Sequence, residues 1–444
     1  MNKNIIKILF SEKEIKKKVK NFSQISFPSN FIFKENEVIY VCLNQISDLN
    51  KLQKNFFLFQ IGIKLQNFCR KGTYIIKYFG DKSLNEVNFC LGWEVGKYSF
   101  DKYKTTERNN NVATLISPFK GQIKKEKEVF FFVRDLINTP ANFLGPNEIY
   151  EMGRVFLKKS FSSKKISGSE LKKKFPLIHA VGKAASKEKM PILCELKSKN
   201  TKSKKKIVII GKGVTFDTGG LNLKTGSGMA LMKKDMGGAA NCIGLANLIQ
   251  TSKIDVNITL LLPLVENSVS RDSFRPSDIF KSRDGRFVEI GDTDAEGRLI
   301  LADAISYACE SKPDMIIDMA TLTGASRVAL GIEVPSFFCN NDQLSMELIE
   351  ASQETGDPIW QLPLWENYLD QLNSNHADVK NIGNSIFGGA ITAALFLKEF
   401  VKNQIPWVHV DLMAWSKPNK FSSYEGGEAM GIRALKKLIE KKFA

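Results

Sequence analysis

Four segments gather the side chains of this 444-residue chain that could do chemistry. Gly211-Lys-Gly-Val-Thr-Phe-Asp-Thr-Gly-Gly220 carries Lys212 and Asp217 in a glycine-rich stretch, and Leu221-Asn-Leu-Lys224 adds a second lysine. Met232-Lys-Lys-Asp-Met-Gly-Gly-Ala-Ala240 brings Asp235. Gly291-Asp-Thr-Asp-Ala-Glu-Gly-Arg298 brings Asp294, Glu296 and Arg298 just before a strongly apolar run. Singly, each has a plain structural reading: Asp235 and Asp294 as helix N-caps, Lys212 as an exposed turn residue, Gly219-Gly220 as a tight turn. Together they offer at least four carboxylates in a chain with three histidines, a donor set suited to hard or borderline divalent cations. Two cations sharing carboxylates could acidify a bridging water enough to make a nucleophile near neutral pH. Lys224 and Arg298 would then supply fixed positive charge for a developing oxyanion. Lys212 finds no role from its residue type, because an amine ligates a metal only when deprotonated.

Several other chemistries are excluded. His179, His376 and His409 form no His-x-x-x-His pair, which removes an HExxH protease, and His409 reads as a core histidine of a strand. Seven cysteines at wide spacing, with no CxxC, support neither a thiolate zinc site nor a disulfide framework. Reduced, buried thiols fit best. No Walker pattern, dinucleotide fingerprint or Gly-x-Ser-x-Gly elbow occurs. The formal charge of +17 is mostly lysine, in runs at 16–18, 172–174, 204–206 and 441–442. Without interleaved arginine and aromatics these runs read as solvated surface, leaving only weak attraction to polyanions. No apolar stretch is long enough to span a membrane, and the first twenty residues lack a signal-peptide core, so a cytoplasmic location is expected.

The length suggests two or three domains. Apolar runs at 207–210, 258–265, 315–319 and 407–412 read as strands, while 237–249, 295–309 and 390–401 carry helical periodicity. Asp284-Gly285 reads as a hairpin turn before 287–290. Strands alternating with helices predict an α/β fold with a mixed, mostly parallel sheet flanked by helices, and functional groups beyond the carboxyl ends of its strands. Short apolar runs at 38–43, 56–63 and 74–78 suggest a smaller N-terminal α/β domain at 1–130. A helix, a Pro-punctuated connection and a Ser/Lys-rich linker follow at 131–175, and 176–444 forms the domain that carries the carboxylates.

GKGVTFDTGG (211–220), MKKDMGGAA (232–240), DTDAEGRLILADA (292–304), ATLTGAS (320–326) and GGAITAALFLKEFV (388–401), with NTPAN at 138–142, resemble the leucyl aminopeptidase, or cytosol aminopeptidase, family of two-metal peptidases in its bacterial form. The resemblance covers roughly 130–444. It implies that Lys212, Asp217, Asp235, Asp294 and Glu296 hold two divalent ions, manganese, zinc or magnesium, which gives Lys212 its role as an unusual amine ligand. Lys224 and Arg298 fall at the family's catalytic positions, Lys224 polarising the scissile carbonyl and Arg298 holding a bicarbonate that assists proton transfer. Met232, Thr321 and Gly324 match positions lining the pocket for the first side chain. The implied function is release of N-terminal residues from peptides, and the implied assembly is a homo-hexamer with no membrane partner. Two positions depart from the pattern. Asp292 stands where the family has asparagine, and the segment around Lys224 reads LNLKTG. A second class of function is a DNA- or polyanion-binding regulatory protein that keeps the peptidase fold.

Overall fold

The computed structural model describes residues 4–9, 31–35, 38–43, 49–69, 71–80, 84–105, 112–199, 202–252 and 254–443. The lysine run at 16–18 and most of the first twenty residues lie outside them. The chain divides into two compact units.

The first unit holds Met1–Phe131, Glu350–Pro358 and Lys417–Tyr424. Its strands are β1 (Asn4–Leu9), β2 (Phe31–Glu35), β3 (Val38–Cys42), β4 (Thr73–Phe79) and β5 (Thr114–Ile116), in the order β2-β3-β1-β4-β5. All pairings are parallel except β2 with β3. The apolar run at 56–63 lies inside α1 (Lys51–Phe68) rather than in a strand. Its start is fixed by a capping box, in which Gln53 N donates to Asn50 Oδ1 at 3.0 Å and Asn50 N donates to Gln53 Oε1 at 3.1 Å.

The second unit holds Phe132–Ile349, Ile359–Ser416 and Glu425–Ala444. Its sheet runs β15-β14-β17-β13-β8-β10-β7-β6, with β9 also paired to β10. Here β6 is Phe161–Ser167, β7 Ile192–Ser198, β8 Lys206–Gly211, β9 Gly213–Asp217, β10 Asn257–Asn267, β13 Met315–Ala320, β14 Ser336–Cys339, β15 Trp360–Gln361 and β17 Trp407–Asp411. A separate ribbon contains β11 (Ile279–Lys281), β12 (Phe287–Glu289) and β16 (Val379–Lys380), with the expected hairpin between β11 and β12. The neighbours β17, β13, β8 and β10 are mutually parallel; β7 runs antiparallel to β10 and β6 to β7, and β14 is antiparallel to β17 but parallel to β15. Every residue of β13 and β17 is buried, Asp318, His409 and Asp411 included, as strands covered on both faces are. The helices used below are α2 (Gly168–Lys174), α3 (Pro176–Gly182), α4 (Gly237–Thr251), α5 (Glu296–Glu310) and α6 (Gly324–Leu330).

The stretch read as a linker carries β6 and α2. β6 closes one edge of the sheet, and only Phe161 and Ile166 of its seven residues are buried. Solvent on one side permits Lys164 and Lys165 there, which hides the strand from an apolar-run reading.

One irregularity prepares the site. The eleven-residue β10 pairs with β8 along 257–261 and with β9 along 264–267. The chain therefore breaks between β8 and β9 at Lys212, where Lys212 N donates to Met319 O at 3.0 Å and Ala239 N donates to Lys212 O at 2.8 Å.

Candidate metal centre

Three connections bring the carboxylates together. Asp217 ends β9, and the next turn places Gly219 and Gly220 at φ +86° and +62°, a backbone that glycine adopts without strain. That turn folds the carboxylate back on its own chain. Gly219 N donates to Asp217 Oδ1 at 2.9 Å, and Asn267 Nδ2 donates to the same oxygen at 2.8 Å. The connection before α5 is pinned from two sides. Thr293 Oγ1 donates to Gly219 O at 2.6 Å and accepts from Asn222 N at 2.8 Å. Asn381 accepts from Gly291 N at 2.7 Å and donates to Asp292 O at 2.8 Å. Asp292, the departure from the family pattern, accepts from Asp294 N at 2.8 Å through Oδ1. Asp235 sits in the 3-10 turn Met232–Met236 ahead of α4, where Thr321 Oγ1 donates to its Oδ1 at 2.6 Å. Neither Asp235 nor Asp294 caps a helix; Met236 and Ala295 occupy those N-cap positions and make no side-chain bond.

Asp217, Asp294 and Glu296 each point an oxygen into a cluster whose members lie within 4.8 Å of one another. Lys212 Nζ donates to Thr321 O at 3.0 Å and forms ion pairs with Asp235 Oδ2 at 2.8 Å and Glu296 Oε1 at 2.9 Å. Lys224 Nζ lies 2.9 Å from Asp217 Oδ2 and also pairs with Asp294. Glu296 is 1% exposed, and no described group donates to its Oε2. Burial, and then Asp217, raise the Glu296 carboxyl well above the ordinary range, and the same two causes raise Asp294. Burial works against the charge on Lys212, yet Asp235 and Glu296 overcome it and hold the ammonium. A buried carboxylate oxygen without a donor, among oxygens this close, fits a divalent cation.

A cavity of about 390 Å³ opens onto this cluster and is lined by Lys212, Asp217, Lys224, Met232, Asp235, Asp294, Thr321 and Gly324, with Lys234 and Arg327. Glu296 lies behind Lys212. Arg298 is not among the lining residues. Its Nη1 donates to Asn381 O at 2.8 Å, its Nε has no described partner, and burial pushes its pKa down to about 10. His409 lies in the core, with Nδ1 2.5 Å from Asp318 Oδ1, and Trp407 Nε1 donates to Asp318 Oδ2 at 2.6 Å. Sequence reasoning passed over Asn267, Thr293 and Asn381, whose bonds cross 26 to 90 residues of chain and leave no local pattern. Nothing local in 232–240 sets Lys234 apart from Lys233 beside it.

Residues 131–436 match the catalytic domain of the Cytosol aminopeptidase family. The chain belongs to the cytosol aminopeptidase family. A probable cytosol aminopeptidase of Chlamydia abortus is 41% identical over 366 residues, 79% of this chain and 72% of the relative. One from Sulfurihydrogenibium is 39% identical over 353 residues, 77% of this chain and 70% of the relative. The crystal structure of cytosol aminopeptidase from Coxiella burnetii superposes with a TM-score of 0.88 at 35% identity, covering 100% of this chain and 98% of that one. The bottromycin maturation enzyme BotP in complex with Mn superposes with a TM-score of 0.86 at 25% identity over all of both chains. As a cytosol aminopeptidase, the protein is a metal-dependent peptidase hydrolase. No helix among its described residues is long and apolar enough to cross a membrane.

Proposed function

We propose that this aminopeptidase removes the first residue of peptides at two divalent cations held by Lys212, Asp217, Asp235, Asp294 and Glu296. The observation that carries the reading is the donorless Glu296 Oε2 in a cluster of three carboxylates. Two such cations would supply Lewis-acid polarisation of the scissile carbonyl and acidify a water to the neutral range. Lys212 would join the set only as the neutral amine, its proton given up where the metal binds. Lys224, 16% exposed along its side chain and facing the cavity, is placed to donate to the carbonyl oxygen as charge develops there. Arg298, buried with a free Nε–H, suits a small planar anion such as bicarbonate, which would take up and return a proton beside the reacting water. Met232, Thr321 and Gly324 would form the wall against the first side chain.

The manganese of the BotP structure makes Mn²⁺ the first ion to test, with Zn²⁺ and Mg²⁺ beside it. A cytoplasmic, homo-hexameric enzyme of peptide catabolism is the setting we propose. Chelation should abolish release of p-nitroaniline from leucine p-nitroanilide, and Mn²⁺ or Zn²⁺ should restore it, with two ions per chain by elemental analysis. Full turnover in excess chelator, or by Asp294→Ala without metal, would sink the reading.

A further inference from the structure

Two cations in the cavity wall have no part in the reaction above. Lys234, in the 3-10 turn Met232–Met236, is 2% exposed yet lines the cavity, and its ammonium has no hydrogen bond or ion pair with any described residue. Arg327, on α6, lines the same cavity, and its Nη1 is buried without a partner. Each lies in the other's field as a like charge.

Two other buried cations of the unit are paired with carboxylates, Arg134 with Glu428 at 2.7 Å and Lys212 with Asp235 and Glu296, and Arg298 at least donates to Asn381 O. The carboxylates that act on Lys234 are committed elsewhere. Asp235 serves Lys212 and Thr321, and Asp411 accepts from Leu322 N at 3.0 Å and from Thr323 Oγ1 at 2.6 Å. Burying an ammonium beside a guanidinium without an acceptor is costly, and the cost is met when a ligand brings the acceptor. Lys234 shares its 3-10 turn with Met232, and Arg327 shares α6 with Gly324. A Cβ at Gly324 would stand 3.8 Å from Arg327 Nη2.

We propose that Lys234 and Arg327 together bind the side-chain carboxylate of an acidic first residue, so that peptides beginning with Glu or Asp are preferred substrates. This rests on the peptidase reading of the cavity. Glutamate and glutamine are nearly isosteric, so their comparison isolates the charge. A site built to hold a carboxylate rejects the neutral isostere because its buried cations are left unpaired.

The test is the ratio of kcat/KM for the p-nitroanilides of Glu and Gln on the Mn²⁺-loaded full chain. It should exceed about ten in the natural protein and fall towards about one in Arg327→Met and Lys234→Met, since each removes one charge-assisted contact. A ratio near one in the natural protein, or one unchanged in both variants, overturns the proposal. So does a preference for Gln-Gly over Gln-Gly amide that both variants abolish, which would assign the pair to a substrate's C-terminal carboxylate. If no anilide, including that of leucine, is turned over with any metal, the peptidase reading fails. Calorimetric titration with L-glutamate and L-glutamine then decides the site: glutamate binding about tenfold tighter supports it, and equal binding overturns it.

Discussion

Glu296→Gln is expected to change sign with metal. The Glu296 carboxylate shares a 4.8 Å cluster with Asp217 and Asp294, and at an effective dielectric of about 20 each such like pair costs about 3 kcal/mol. Lys212 at 2.9 Å returns about 6 kcal/mol on the same scale, so the two repulsions and the attraction nearly cancel. Desolvation of a carboxylate that is 1% exposed then decides against the charged form by several kcal/mol before relaxation. A carboxyl whose folded pKa is raised stabilises the fold below its unfolded pKa of about 4.3 and loses that contribution as pH rises through the folded value. The chelated protein at pH 8 has therefore given up stability that glutamine at 296 never had to surrender. Chelated Glu296→Gln should be the more stable by roughly 1–3 kcal/mol at pH 8, a few degrees in Tm, with the gap closing at pH 5. Saturating Mn²⁺ at about 1,000 times Kd should add about 4.1 kcal/mol to the natural protein and little to the variant, which reverses the order. Scanning calorimetry with chelator and with Mn²⁺, at both pH values, reads all four states. A chelated variant that melts below the chelated natural protein at pH 8 refutes the electrostatics, and an equal metal-induced rise in both proteins refutes Glu296 as a ligand.

Lys224→Ala should lower kcat by about 10²–10³ while elemental analysis still finds two ions, and loss of both ions would remove its assignment to the oxyanion. Asn381→Ala should weaken metal affinity without unfolding the chain, since it releases Gly291 N and Asp292 O on the connection that carries Asp294. Metal titration against an indicator would show this, and unchanged affinity would count against the pinning. Asp303→Ala should cost about 3–5 kcal/mol in urea unfolding and leave metal stoichiometry alone. Its carboxylate accepts from Leu177 N at 2.8 Å and Ile178 N at 3.3 Å at the start of α3, and from Arg283 N at 2.8 Å; a loss below about 1 kcal/mol would show that water replaces it.

The strands β8, β10, β13 and β17 were legible because both faces are covered, and covered strands are mostly apolar, broken here by partnered polar side chains such as Asp318 and His409. The carboxylates were legible for a different reason: Asp217, Asp294 and Glu296 stand among glycines and short side chains between a strand and a helix, and Asp235 stands just before the small residues that open α4. What stayed hidden depends on distant chain. β6 is an edge strand whose exposed face tolerates lysine, and α1 hides an apolar run whose partners lie on other elements. The isolation of Lys234 is a statement about acceptors that are missing from space, and no window of sequence contains it.

Lys212 shows how a break in the sheet sets the length of side chain a position needs. Five residues of unbroken strand would set Lys212 and Asp217 about 16 Å apart on opposite faces. The break between β8 and β9 removes that constraint, and Lys212 then spans the remaining distance because its side chain is long. It reaches Glu296 across Gly297, where a Cβ would stand 2.6 Å from Lys212 Cε and 2.7 Å from Nζ. The glycine after Glu296 is thus required by a lysine 85 positions earlier. A shorter carboxylate at 212 would leave Gly297 facing empty space and Asp235 without its 2.8 Å partner. A long side chain at 212 follows from that geometry: at this break in the sheet it pairs with Asp235 and Glu296 at once.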